Sequence, residues 1–169
     1  MRTETEARSM SVEDWSGEWV KELLDRLRAD FEGFDVNQLS LSVPAPGYRR
    51  TIRRHEDDLV GARVRVANDD GHLLVVERDH GWGMPGGDVD ATEPIARGAR
   101  RRVRQETGVD CRVDGLVRAT IAGVHNEDDP DAPPVYRLLT VLTATPEGGA
   151  PDTRAEWHPD PPDQLSFPF

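Results

Sequence analysis

From Trp15 to Phe31 the apolar positions Trp15, Trp19, Val20, Leu23, Leu24, Leu27 and Phe31 recur at the three-to-four spacing that keeps one helix face continuous. Ser11 and Asp14 stand in front of this run like a capping box, so the pattern predicts an amphipathic helix. A stripe of this kind packs against its own domain or against a second copy of the chain. Pro44, Pro46 and Gly47 then read as a linker. The chain is thereby divided into an N-terminal helical extension with its linker, 1–46, and a main domain, 47–169.

Beyond residue 59 the pattern shortens to that of strands. Residues 60–67 and 72–77 read as two strands, and Asn68, Asp69, Asp70 and Gly71 between them as a turn, which together predict a hairpin. Further strands are expected over 111–124 and 135–145, separated by the acidic loop 126–134. A short one includes Glu156 and Trp157. Pro159, Pro161, Pro162 and Pro168 argue against a terminal helix. Between these strands, Trp82 to Gly87 ends a hairpin and opens a glycine loop, and Glu93, Pro94 and Ile95 lead into a helix over 94–107 that closes at Gly108. Proline in the first turn and glycine just past the last suit those ends. In a strand, glycine loop and helix in that order, exposed amides can face phosphate oxygens.

The spacings in this segment are specific. Gly87 is followed at fixed intervals by Glu93, Arg101, Val103, Glu106, Gly108 and Val109. The run resembles the signature of the Nudix (MutT-like) hydrolases, in which glycine, five residues, glutamate and seven residues lead into R-E-U-x-E-E-x-G-U, U being a bulky aliphatic residue. The resemblance covers roughly residues 60–158. It implies an α/β (α+β) Nudix fold, a mixed β-sheet sandwiched by helices, here with the N-terminal amphipathic helix added. It also implies hydrolysis of a nucleoside diphosphate linked to another moiety, with Mg2+ or Mn2+ as cofactor. By the same resemblance Arg101 orients a catalytic carboxylate, Glu93 supports the metal cluster, Gly86 lends its carbonyl to a metal, and Glu106 is the remaining helix ligand.

Two positions depart from that pattern. Arg102 stands where the family has the glutamate after its arginine, and Gln105 where it has the first of the adjacent glutamates. Successive residues turn by about 100° around a helix, so 102, 105 and 106 share one face. That face here carries a cation, a neutral amide and one carboxylate. Gln105 can still offer a carbonyl oxygen to a hard cation, whereas Arg102 repels a metal and is placed to pair with Glu106 four residues on. Arg102 can instead grip a phosphate, a role for which Gly87 and Trp82 are companions in substrate binding. Over residues 93–106 five arginines face two glutamates, a local charge of +3, and Arg49, Arg50, Arg53 and Arg54 form a second basic cluster. Most of these arginines read as solvated or paired. Arg101 and Arg102 coincide with the motif. A replacement general base could come from the loop residues Glu127 and Asp128, with Asp129 and Asp131 beside His125; Glu156 is a weaker candidate. Trp82, Tyr136 and Trp157 are the candidates for stacking on a base. His80 and His125 read as structural or solvent-facing, and no His/Cys spacing suggests zinc.

Composition narrows the partners. The 169 residues carry 32 acidic against 21 basic side chains, a formal charge of −11, and Lys21 is the only lysine. An Asp-rich, nearly lysine-free surface of this kind resembles halophilic proteins, and a GC-rich genome is the plainer alternative. Such a surface argues against nucleic acid and against anionic membranes as partners. The lone Cys111 excludes an intramolecular disulfide, and with no long apolar run the expectation is a soluble, cytoplasmic protein. The sequence therefore predicts a metal-dependent Nudix hydrolase of a small nucleotide diphosphate derivative. The alternative is a non-hydrolytic Nudix-fold module that binds a phosphorylated nucleotide ligand. A homodimer through the N-terminal helix is compatible with either.

Overall fold

The computed structural model describes residues 11–79 and 81–159. The first helix, α1 (Val12–Asp30), starts where the capping pattern predicts: Asp14 N–H donates to the Ser11 hydroxyl at 3.2 Å. Its face of Val20, Leu23, Leu24 and Leu27 is buried in the central core, and Ser16 Oγ accepts the backbone N–H of Tyr136 at 2.9 Å. Burial of four such side chains at about 1.5–3 kcal/mol each is ample to hold the helix in place.

The next two elements correct the linker reading. Residues Asp35–Val43 form strand β1, and Pro44 is not in a linker but caps helix α2 (Ala45–Glu56), with Pro46 in its first turn where a missing N–H costs nothing. Strand β1 is nearly all exposed, and its short alternation of Leu39, Leu41 and Val43 with Ser40 and Ser42 buries only Val43.

The remaining strands are β2 (Leu59–Val66), β3 (Leu73–Arg78), β4 (Gly81–Gly83), β5 (Gly86–Asp90), β6 (Val109–Asn126), β7 (Val135–Gly149) and β8 (Ala155–His158), with helix α3 (Ile95–Thr107) between β5 and β6. They make two sheets. The larger is mixed, in the order β1-β6-β7-β2-β5, with β1 parallel to β6 and β2 parallel to β7; the smaller is antiparallel, β4-β3-β8. The expected hairpin of β2 and β3 is not formed. Asn68 does build the turn, its Oδ1 accepting from Asp70 and His72, but the turn hands the chain from one sheet to the other, leaving a single bridge between Ala67 and Leu73. Both strands are buried along most of their length, and each has its own two neighbours.

The glycine segment also differs from a plain loop. From Gly86 on it is the edge strand β5, paired with β2 so that Gly86 lies opposite Arg63 and Asp88 opposite Gly61. Gly86 has φ +120°, and a Cβ there would collide with the carbonyl oxygen of Ala62, so only glycine fits. The helix that follows keeps its expected bounds. Ile95, Ala99, Val103 and Thr107, four residues apart, are its buried face, and Gly108 ends it in the left-handed region with its N–H on the Arg104 carbonyl. The fold is thus α/β (α+β), a mixed sheet flanked by helices. No helix among the described residues is long and apolar enough to cross a membrane. The proline-rich stretch from 160 onward and His80 lie outside the described residues.

Candidate functional site

The last turn of α3, the start of β5 and the end of β3 meet at Glu106. Its two carboxylate oxygens are both taken by the guanidinium of Arg78, at 2.7 and 3.2 Å, and Gly86 N–H donates to the same carboxylate at 3.3 Å. Arg78 reaches on to the carbonyl oxygens of Met84, at 2.8 Å, and Gly86, at 3.4 Å. The Gly86 carbonyl also accepts from Arg63 at 2.7 Å. Arg63 is 5% exposed in the middle of β2, and burial pushes its guanidinium down to about 10, helped by the neighbouring charge of Arg78. It stays protonated at neutral pH. A third guanidinium, that of Arg102, lies close against Gly87, where the Cζ would be 3.1 Å from any added Cβ; its Nε is buried without a partner.

Arg78 therefore holds the carboxylate, with Arg63 on the adjoining Gly86 carbonyl and Arg102 against Gly87. Arg102 does not pair with Glu106 as the helix spacing suggested, because Arg78 from the small sheet has taken both oxygens and Arg102 turns to the glycine strand instead. Gln105 is exposed on the outer side of the same helix.

A second pair sits at the other end of α3. Arg101 donates to both oxygens of Glu93, and the carboxylate lies against Gly98, where a Cβ would be 2.9 Å from Glu93 Oε1. The bond from Arg101 holds the Glu93 carboxyl below its ordinary range. No hydrogen bond or ion pair among the described residues joins this pair to Glu106.

The loop candidates are remote from Glu106. Asp128 accepts the N–H of Ala45 at 2.9 Å and so caps α2, and Glu127, exposed, continues the backbone pairing with Val43. Val141 lies opposite Arg63, with Gly86 on the other side of β2 at the same level, whereas the loop begins beyond Val135. Six residues of strand are about 20 Å. Among the aromatic candidates, Trp82 stacks against His158 with ring centroids 5.0 Å apart, Trp157 packs on the core, and Tyr136 lies between Gly17 and Gly123 under α1. Glu156 is held by His158 at 3.0 Å.

Nudix hydrolases generally use divalent metals, and the donor set here can be tested against one. A multi-ion centre needs several carboxylates with free oxygens and a free carbonyl. Glu106 has both oxygens engaged by Arg78, the Gly86 carbonyl is engaged by Arg63, and among the described residues no group of three or more His, Cys, Asp or Glu is placed to hold an ion. The residues do not fit such a centre. They suit an oxyanion, since planar guanidiniums with spare donors match phosphate oxygens.

Arg63 and Arg78 were not singled out from the sequence. A signal existed: an arginine set among Val60, Ala62, Val64 and Val66 has no reason to be buried unless something there takes its charge.

Comparison with known proteins agrees with this segment. A stretch of 107 residues, 60% of the chain, is 31% identical to a MutT-like protein of Streptomyces ambofaciens, and spans 59% of that relative. Among solved structures, a MutT NUDIX hydrolase from Burkholderia pseudomallei is 24% identical over 62% of this chain and 90% of its own, with a TM-score of 0.42. An ADP-ribose pyrophosphatase from Streptococcus suis is 16% identical over 60% and 73%, with a TM-score of 0.43. The family model of the NUDIX domain matches residues 58–167, which takes in the glycine strand, α3 and Glu106, so the chain belongs to the Nudix family.

Proposed function

We propose that the chain is a Nudix-fold binding module for a nucleoside diphosphate derivative, gripping the phosphate with Arg63, Arg78 and Arg102 where its hydrolytic relatives use metal ions. One observation carries the reading: Arg78 spans both oxygens of Glu106 while Arg63 occupies the Gly86 carbonyl. In this role Gly87 lets the Arg102 guanidinium lie close to the backbone, and the unpartnered Arg102 Nε waits for an acceptor. The Glu93–Arg101 pair then serves to fix the entry into α3 rather than to orient a base. Trp82, at the end of the small sheet beside His158, is the stacking surface nearest in sequence to this cluster.

The test is a panel of nucleoside diphosphate sugars, ADP-ribose, dinucleoside polyphosphates and nucleoside triphosphates, offered first in EDTA and then with Mg2+ or Mn2+. The reading expects binding in EDTA that is lost in Arg102→Gln, and no phosphate release with metal. Turnover that requires metal and disappears in Glu106→Gln would restore the hydrolase.

A further inference from the structure

The two sheets have four outer edges among the described residues: β1 and β5 in the larger, β4 and β8 in the smaller. An unpaired edge is a template for another strand, and proteins ordinarily blunt it by shortness, charge, proline or a bulge. Three of these edges are blunted. Strand β4 is three residues long, β8 is four and contains Glu156, and β5 is five and contains Asp88 and Asp90. Strand β1 has none of these devices. It runs for nine residues, pairs with β6 from Asp35 to Val43 without a register shift and has no proline before Pro44. After Asp35 it carries no charged side chain, although 31% of the chain is charged.

The apolar surface is concentrated at the same edge. Among the described residues, the exposed large apolar side chains are Val36, Leu39 and Val117, at 38%, 41% and 42%. Two of them are on β1, and Val117 precedes Arg118, which lies opposite Asp35. Val36 and Leu39 are three residues apart in a strand, so they stand on opposite faces of the sheet. A partner laid on one face covers only one of them, whereas a strand added to the edge places a neighbour beside both.

Charge identifies the occupant. The chain carries −11, so a basic partner is drawn to its acidic surface, and the one long uncharged edge is where a partner of the same net charge meets least repulsion. A second copy is such a partner. Antiparallel pairing about a two-fold axis sets Leu39, the middle of the nine residues, beside its own counterpart. It also keeps the two Asp35 side chains about 27 Å apart, beyond the screening length of about 8 Å, where parallel pairing would set them side by side. Helix α1 is not available for this role, because its apolar face is buried in the chain's own core.

We propose that β1 is a homodimer interface, at which two copies join edge to edge, antiparallel about Leu39, and continue one five-stranded sheet into the other. Each chain has one such edge, so the pairing closes as a dimer and does not grow. The contact is narrow, of the weak and reversible class below about 1,200 Å2.

Sedimentation equilibrium of the full chain from about 10 μM to about 1 mM, the range that suits so small a contact, is the test. It should show a monomer–dimer equilibrium that tightens as KCl is raised, because salt screens the repulsion between two acidic chains and no ion pair holds the interface. Leu39→Asp, at an exposed position, sets two carboxylates side by side and should weaken association at least about tenfold while leaving the circular dichroism of the fold unchanged. Leu39→Cys should form an intermolecular disulfide on mild oxidation and Asp35→Cys should not, the native thiol of Cys111 being buried. A chain that stays monomeric at the highest concentration in molar KCl refutes the interface, as does a dimer that survives Leu39→Asp. Crosslinking of Asp35→Cys as fast as Leu39→Cys overturns the antiparallel arrangement, and growth beyond the dimer overturns its closure.

Discussion

Replacing Glu106 by glutamine separates the two readings of the site because they predict opposite signs. As a metal ligand, Glu106 is needed for binding and turnover. As a counter-charge held by Arg78, it competes with the incoming phosphate, and its neutralisation should tighten anion binding. Two unit charges 4 Å apart interact by about 1 kcal/mol in water and about 4 kcal/mol at an effective dielectric of 20. The Glu106 and Arg78 side chains are 17% and 33% exposed, so the lower part of that range applies. About 1.4 kcal/mol, or about tenfold in affinity for pyrophosphate, is a fair expectation. The same change should cost stability. Exposed pairs contribute up to about 1 kcal/mol and breaking buried ones costs about 3–5 kcal/mol. Glutamine keeps an oxygen for Arg78, so about 1.5–2 kcal/mol is expected, which lowers the thermal midpoint by about 4–7 °C in a domain of this size. Calorimetric titration in EDTA and a thermal melt measure the two numbers on one sample. Weaker pyrophosphate binding in Glu106→Gln, with the fold intact, would refute the counter-charge argument outright.

Four further outcomes follow from other parts of the molecule. The double change Arg102→Glu with Gln105→Glu should gain only weak Mn2+ affinity by electron paramagnetic resonance, because Arg63 and Arg78 still hold Gly86 and Glu106; tight multi-ion binding would show that those arginines yield easily. Leu27→Ala, at a side chain 2% exposed beneath α1, should cost about 2–5 kcal/mol in urea unfolding, and a loss below about 1 kcal/mol would mean that α1 is not part of the core. Burial lowers the pKa of His55 from its ordinary 6.5, so the unfolded chain binds the proton more tightly. Its contribution is full above about pH 6.5 and is lost as pH falls towards the folded value, and His55→Phe should flatten the stability profile in that window relative to the unmodified chain. Burial pushes the Cys111 thiol up to about 11, so a thiol reagent should label it only at the rate of unfolding, and prompt labelling of the native chain would contradict its burial.

What could be read in advance follows from how local each signal is. Helix α1 announces itself because one face must be apolar over nineteen residues, and α3 because proline, glycine and the buried four-residue repeat agree. The pairing of β2 with β3 looked equally secure, since Asn68 to Gly71 is good turn chemistry. The turn exists, but turn chemistry fixes only the reversal of the chain and is silent on which neighbours two mostly buried strands then take. Strand β1 was missed although Leu39, Leu41 and Val43 alternate with Ser40 and Ser42: the alternation is short and, at an edge that is mostly exposed, does not mark a buried face. At the site, the missing carboxylates were legible as Arg102 and Gln105. The residues that decide their consequence, Arg63 and Arg78, come from two strands in different sheets, and nothing in their own neighbourhoods says that they converge on the Gly86 carbonyl beside Glu106.

That convergence bears on the charge of the whole molecule. A chain of net −11 should repel phosphate at long range, and swapping one carboxylate for Arg102 alters that total little. The distribution matters more. Arg63 is almost wholly buried, and Arg78 and Arg102 are partly so, which leaves their contacts much less screened than the acidic groups in open solvent. On the proposed reading, raising the salt should weaken the repulsion from the surface before it weakens the grip of the arginines. If the arginine cluster takes phosphate as proposed, its short-range attraction should survive conditions that remove the long-range barrier. A metal-filled cleft follows a different logic, drawing its cation in through the same negative field that here keeps the ligand out.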